Sequence, residues 1–145
     1  MVETIRIEAR LIHPNAKLPT KSRATDAGYD IYAISDFTLK PNSVTVIKTG
    51  IQISVPPGYY YTTEGRSSLM INGVYPHRYI IDSTYCGELV VSLVNANDSV
   101  YHFFSLDRIA QIVLSKQYDA DFNIVQEFSQ LYNQRGNDGF GSTGR

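Results

Sequence analysis

Hydrophobic positions along this chain alternate with polar ones more often than they recur at helical spacing. The clearest case is residues 50–56, where Ile51, Ile53 and Val55 are separated by Gln52 and Ser54, the period-two pattern of a half-buried strand. Short runs rich in Val, Ile, Thr, Tyr and Phe predict strands over 45–53, 59–63, 88–95 and 108–117, with two more over 5–11 and 28–34. Turn signals fall between them at His13-Pro14-Asn15, Lys40-Pro41-Asn42, Pro56-Pro57-Gly58 and Asn95-Ala96-Asn97-Asp98. Strands spaced roughly ten residues apart, without long helical stretches, predict an all-β fold, a jelly-roll-like sandwich or barrel. Residues 66–71 interrupt the pattern, and Ser67 or Ser68 would cap a helical turn there.

The pattern stops near the C-terminus. Residues 133–145 are rich in glycine, with one aromatic and no aliphatic side chain, so they cannot contribute to a core. The chain therefore divides into a β domain over 1–132 and a tail over 133–145. A total of 145 residues suits a single domain.

Composition narrows the function classes. With 43% apolar and 19% charged residues, bulk disorder is excluded, and a formal net charge of −1 gives no electrostatic reason to expect direct nucleic-acid or membrane binding. A single cysteine, Cys86, excludes an intrachain disulfide framework and a cysteine-based zinc site, and reads as a small buried hydrophobe. His13, His77 and His102 lack metal-ligand spacing. No apolar run reaches the roughly 18 residues of a membrane span, and MVETIRIEAR does not read as a leader. The expected setting is a reducing, cytoplasmic one (host-cell cytosol or nucleus for a viral chain), not a secreted one.

Five segments carry candidate chemistry. In the tail, glycines expose backbone N–H groups suited to phosphate, Ser142 and Thr143 add hydroxyls, Arg135 and Arg145 add charge, and Phe140 offers a stacking face. Asp30, where Gly28-Tyr29-Asp30 enters a strand, either caps a turn or helps hold a divalent cation, directly or through water. Arg66, Ser67 and Ser68 join a cation to two hydroxyls at a possible helix start, which suits a phosphate as well as a capped turn. Asp82 follows an apolar run in Ile80-Ile81-Asp82-Ser83-Thr84-Tyr85 and either accepts a proton from water or sits in a hairpin turn. Arg108 and Gln111 begin another strand, where Asp107 and Arg108 form a structural pair at a sheet edge.

In this order the segments resemble the five motifs of the trimeric dUTPases, from Ala24 to Arg145. The most specific stretches are Asp26-Ala27-Gly28-Tyr29-Asp30, Arg108-Ile109-Ala110-Gln111 and Gly139-Phe140-Gly141-Ser142-Thr143-Gly144. The resemblance implies hydrolysis of dUTP to dUMP and pyrophosphate by magnesium-assisted water attack on the α-phosphorus. That reaction limits uracil incorporation into DNA and supplies dUMP for dTTP synthesis. It also implies a homotrimer with shared active sites, each closed by a neighbour's tail.

Carried over by position, Asp82 is the general base and Asp30 positions Mg2+ through water. Tyr85 packs under the deoxyribose, and backbone groups at Tyr79 and Val90, either side of the hairpin, read the uracil, with Ile81 between them. Arg66, Ser67, Ser68 and Gln111 contact phosphates. Arg135, Ser142 and Thr143 grip the γ-phosphate end, while Phe140 stacks on uracil beside Gly141. Four places depart from the family pattern. Gly65-Arg66-Ser67-Ser68 stands for Pro-Arg-Ser-Gly, Tyr79 and Asp138 for glycines, and Thr84 for an acid. Two alternatives follow: a dCTP deaminase, disfavoured because Ser92 occupies the position of that family's catalytic glutamate, and a nucleotide-binding regulatory trimer with little turnover.

Overall fold

The computed structural model describes residues 2–129 and 135–139. Every strand pairing is antiparallel. In chain order the elements are β1 (Glu8–Leu11), β2 (Gly28–Tyr32), β3 (Phe37–Leu39), β4 (Ser43–Ser54), β5 (Tyr59–Glu64), α1 (Ser67–Ile71), β6 (Val74–Pro76), β7 (Ile80–Asp82), β8 (Glu88–Asn95), β9 (Tyr101–Phe103) and β10 (Arg108–Lys116). They form two four-stranded sheets, ordered β1-β4-β8-β6 and β2-β10-β5-β7, with β3-β9 as a separate pair. The all-β expectation holds. No described helix is long and apolar enough to cross a membrane.

The core forms where the inward rows of the two large sheets meet. Ile51, Ile53, Leu89, Val91 and Leu93 come from one, and Ile31, Tyr61, Ile109, Ala110 and Ile112 from the other. The alternation read at Ile51, Ile53 and Val55 is realised, all three being buried. Burying such side chains stabilises by about 1.5–3 kcal/mol each, which fixes the register of the strands that carry them.

Three local expectations are corrected. The helical turn exists, but Arg66 occupies its cap position with extended backbone and no side-chain cap bond, so neither serine caps it. Cys86 is exposed rather than buried, because it lies in the link between β7 and β8 and outside the core. That link is also not a hairpin. β7 pairs with β5 in one sheet and β8 with β4 in the other, so no ladder joins the two strands.

Candidate active site

β10 is a central strand, with β2 on one side and β5 on the other. Across it Gln111 faces Asp30 of β2 and Glu64 of β5. The pairing with β2 then slips, from Ala110 opposite Ile31 to Arg108 opposite Tyr32, leaving Ile109 as an extra residue. A flat strand would turn Arg108 away from Gln111, three positions on. The bulge returns it to the same face, while Ile109 and Ala110 are both buried on the other. Arg108 therefore reaches Asp30 and not Asp107, which accepts the Phe104 N–H at 2.7 Å and closes its own turn. The predicted Asp107–Arg108 pair at a sheet edge is thus corrected on both counts.

These strands open into a cleft of 560 Å³ lined by Ser22, Asp30, Glu64, Arg66, Ser67, Ser68 and Gln111 among others. The Asp30 carboxylate has Arg66 Nε at 3.3 Å from Oδ1 and Arg108 Nη1 at 3.6 Å from Oδ2. The Ser22 hydroxyl donates to Oδ2 at 3.4 Å. The backbone of Asp30 is held as well, by exchange of N–H and C=O with Thr20. Gln111 Nε2 donates to the Gly65 carbonyl at 2.8 Å, fixing the side chain over the cleft. The Leu69 and Met70 amides use the Arg66 carbonyl, and the amides of Ser67 and Ser68 open the helix, where no helical carbonyl can reach them. The cleft presents cations, hydroxyls and amides, the chemistry of a phosphate site.

A second, smaller cleft of 280 Å³ lies where the ladder between β7 and β8 is missing, lined by Tyr79, Ile80, Ile81, Asp82, Tyr85, Glu88, Leu89 and Val90. β7 is an edge strand, and β6 covers β8 only at Leu93, Val94 and Asn95. A flat ring with donors and acceptors on its rim can occupy such a gap and bond to strand backbone. Asp82 is exposed at its rim, and its carbonyl accepts the Tyr85 N–H at 3.1 Å in a tight turn. The Tyr85 hydroxyl donates to the Glu88 carbonyl at 2.8 Å, setting the ring against this cleft. Tyr79 N–H donates to Thr63 Oγ1 at 2.9 Å, and its carbonyl accepts the Thr63 N–H at 3.2 Å. The Tyr79 amide is therefore already engaged within the chain.

The structure brings Asp30, Arg66, Ser67, Ser68 and Gln111 together, and separately Asp82, Tyr79, Ile81, Tyr85 and Val90. It does not bring the two groups together within one chain. Asp82 faces Tyr60 on β5, four residues from Glu64, the partner of Gln111; that is roughly 13 Å along the strand. Arg135 is described and donates to the Gly139 carbonyl at 3.4 Å; Phe140, Gly141, Ser142 and Thr143 lie outside the described residues. Ser92, at the deaminase position, is buried.

The donor set decides what cation could fit. Among the described residues no group of three or more His, Cys, Asp or Glu could hold an ion. Of the three carboxylates lining the phosphate cleft, Asp26 accepts the Arg23 N–H, Glu64 is paired with Arg78, and Asp30 is balanced by two guanidinium groups. This fits a hydrated Mg2+ carried mainly by substrate phosphates, which commonly keeps several waters and takes only one or two carboxylates.

Sequence reasoning missed Ser22 and Glu64 as cleft residues and Arg108 as the second partner of Asp30. Glu64 is drawn there by β5 and pairs with Arg78 at 2.6 Å. The signal for Arg108 was its three-residue spacing from Gln111 around two apolar residues, which only a bulge reconciles with one shared face.

Comparison with known proteins shows the family. The dUTPase family model matches residues 14–144. The chain is 36% identical over 143 residues to a deoxyuridine 5'-triphosphate nucleotidohydrolase of Helicobacter pylori, covering 97% of each chain. It is also 36% identical over 141 residues to that of Kluyveromyces lactis, covering 96% of this chain and 94% of the relative. Among solved structures, the dUTPase of Staphylococcus bacteriophage 80alpha with dUPNHPP superposes with a TM-score of 0.87 at 28% identity, covering 98% and 100% of the two chains. The D95N dUTPase of phage phi11, described with a structural Mg(II) ion, gives 0.77 at 26% identity, covering 85% and 98%.

Proposed function

The chain belongs to the dUTPase family and hydrolyses dUTP to dUMP and pyrophosphate, and from that premise we propose that its two clefts are halves of one active site completed between subunits. The separation of Asp82 from the phosphate cleft carries this reading, since roughly 13 Å is too far for a base to serve an α-phosphate gripped by Arg66 and Gln111 of the same chain. In a homotrimer the first cleft of one protomer faces the second cleft of its neighbour, and residues 133–145 of another subunit close over both.

In this arrangement uracil enters the gap between β7 and the uncovered edge of β8. Val90 offers backbone there, and the narrow gap rejects a 5-methyl group by contact. A cytosine rim would mismatch donors and acceptors, which costs more than a misfitting methyl. Tyr85 packs under the deoxyribose. Arg66, Ser67, Ser68 and Gln111 hold phosphate oxygens, Arg135, Ser142 and Thr143 the γ-phosphate end, and Phe140 stacks on the base beside Gly141.

Asp82 takes a proton from a water, whose oxygen bonds to the α-phosphorus as the bond to the α–β bridging oxygen breaks and pyrophosphate leaves. Asp30 would hold the water shell of a Mg2+ ion on the triphosphate, and that ion would supply charge neutralisation there. The remaining charge falls on Arg66 and Arg135, and the closed tail excludes bulk water.

Release of pyrophosphate from dUTP, dCTP, dTTP and UTP in the presence of magnesium tests the assignment. Turnover of dUTP alone is expected. Ammonia release from dCTP would establish a deaminase instead, and tight dUTP binding without release would establish a regulatory binder.

A further inference from the structure

We propose that Arg108 is a positioning residue that keeps Asp30 in place and charge-balanced while Arg66 leaves it for the substrate phosphates. The inference rests on the reading of the first cleft as the triphosphate site, and it concerns how the two oxygens of one carboxylate are shared out.

Asp30 Oδ1 is held by Arg66 Nε at 3.3 Å, and Oδ2 by Arg108 Nη1 at 3.6 Å and the Ser22 hydroxyl at 3.4 Å. The same Nη1 of Arg108 donates to Ser22 Oγ at 3.2 Å, closing a small ring around Oδ2. Arg66, unlike Arg108, lines the phosphate cleft: its Nη1 also donates to the Arg108 carbonyl at 3.3 Å, and its backbone sits at the start of α1. A triphosphate carries more charge than a carboxylate and accepts a guanidinium in bidentate fashion. Its arrival therefore competes with Asp30 for Arg66.

Losing that partner would be costly if Arg66 were alone. The Asp30 side chain is only 13% exposed, and a carboxylate left without a partner at such a site swings away to find one. With Arg108 and Ser22 still on Oδ2, the group stays oriented, and only Oδ1 is uncovered. That is the oxygen left to face the water shell of a phosphate-bound cation. Arg108 can do this because the bulge at Ile109 puts it on the Asp30 face while pairing with β2 resumes on both sides of that residue.

The measurement is a linkage ratio: the affinity of the full-length protein for the non-hydrolysable analogue dUPNHPP with magnesium, divided by its affinity with EDTA, both by calorimetry. Arg108→Gln should reduce this ratio by about tenfold relative to wild type, and Ser22→Ala by about two- to threefold. Arg108→Lys, which keeps the charge and loses the fork, should restore part of it. Arg66→Gln should lower both affinities and leave the ratio closer to that of the wild type. A folded Arg108→Gln protein with the wild-type ratio overturns the proposal. Should that variant fail to fold, wild-type ratios in both Ser22→Ala and Arg108→Lys overturn it equally. Asp30→Asn separates the two levels. A lost ratio there with an intact one in Arg108→Gln removes only the role of Arg108, and an intact ratio in Asp30→Asn removes the underlying reading of Asp30 itself.

Discussion

Gln111 lies so closely over Gly28 that a Cβ built on the glycine would stand 2.0 Å from Gln111 Oε1 and 2.8 Å from its Cδ. Glycine at the start of β2 thus leaves the room that the Gln111 side chain occupies. Gly28→Ala should drive the Gln111 side chain off the Gly65 carbonyl while leaving the edge strand paired. The lost hydrogen bond predicts a fall in kcat/KM of about tenfold, mostly through KM, with a melting temperature close to wild type. Steady-state kinetics beside a thermal melt checks this, and unchanged kinetics would remove Gln111 from the phosphate grip.

Much of this cleft was legible from residue order, because Asp30, Arg66, Ser67, Ser68 and Gln111 fall in short segments whose composition and order match the family's motifs. What stayed hidden depends on breaks in strand alternation. β3, β6, β7 and β9 have three residues each, less than two full periods, so pattern alone does not mark them. The bulge before Gln111 reverses the face of Arg108 without any glycine or proline to announce it. Likewise Ile80-Ile81-Asp82 and Glu88-Leu89-Val90 read as two arms of a hairpin, whereas the chain carries them into different sheets. That choice is made by long-range partners, Tyr60, Tyr61 and Thr62 for β7 and the strand β4 for β8.

Tyr61 carries a buried hydroxyl for which the described residues offer no hydrogen-bond partner. Burial, reinforced by the charges of Tyr85 and Cys86, pushes its pKa up from 10.0 to about 12. The sign follows from linkage. The neutral phenol is favoured in the folded state, and the stability tied to it is complete below pH 10 and is lost as pH rises through about 12. Tyr61→Phe should shift the alkaline unfolding limb to higher pH and raise the melting temperature at pH 7 by a few degrees, the equivalent of about 1 kcal/mol. A lower melting temperature at pH 7 would show that another subunit supplies the hydroxyl with a partner.

Glu64 behaves in the opposite sense. Burial works to raise its carboxyl, but the hydrogen bonds from Arg78 and Thr62, with the Arg78 charge, outweigh it and hold the group below its ordinary value. Its stabilising share is therefore present above the normal carboxylate range and disappears as pH falls through the lowered value. Arg78→Gln should melt below wild type at pH 7, and the gap should close at acid pH. A gap of constant size across the pH range would mean that Arg78 acts through packing and not through this pair.

The division of the site between protomers makes the most demanding prediction. Asp82→Asn should leave nucleotide binding largely intact while turnover falls by roughly 10²–10⁴-fold, the usual contribution of a general base. Asp30→Asn should be weak for a different reason, through the cation. If each site draws Asp82 from one chain and Asp30 from the next, the two inactive variants can repair each other. In a mixed trimer, a site formed by the first cleft of an Asp82→Asn chain and the second cleft of an Asp30→Asn chain contains neither substitution. Random assembly from equal amounts places such a pair at about a quarter of the interfaces. Unfolding and refolding the two proteins together should therefore recover activity near that fraction of wild type, while each refolded alone stays inactive. If both carboxylates served one site within a single chain, every site would carry one lesion and no mixture would recover.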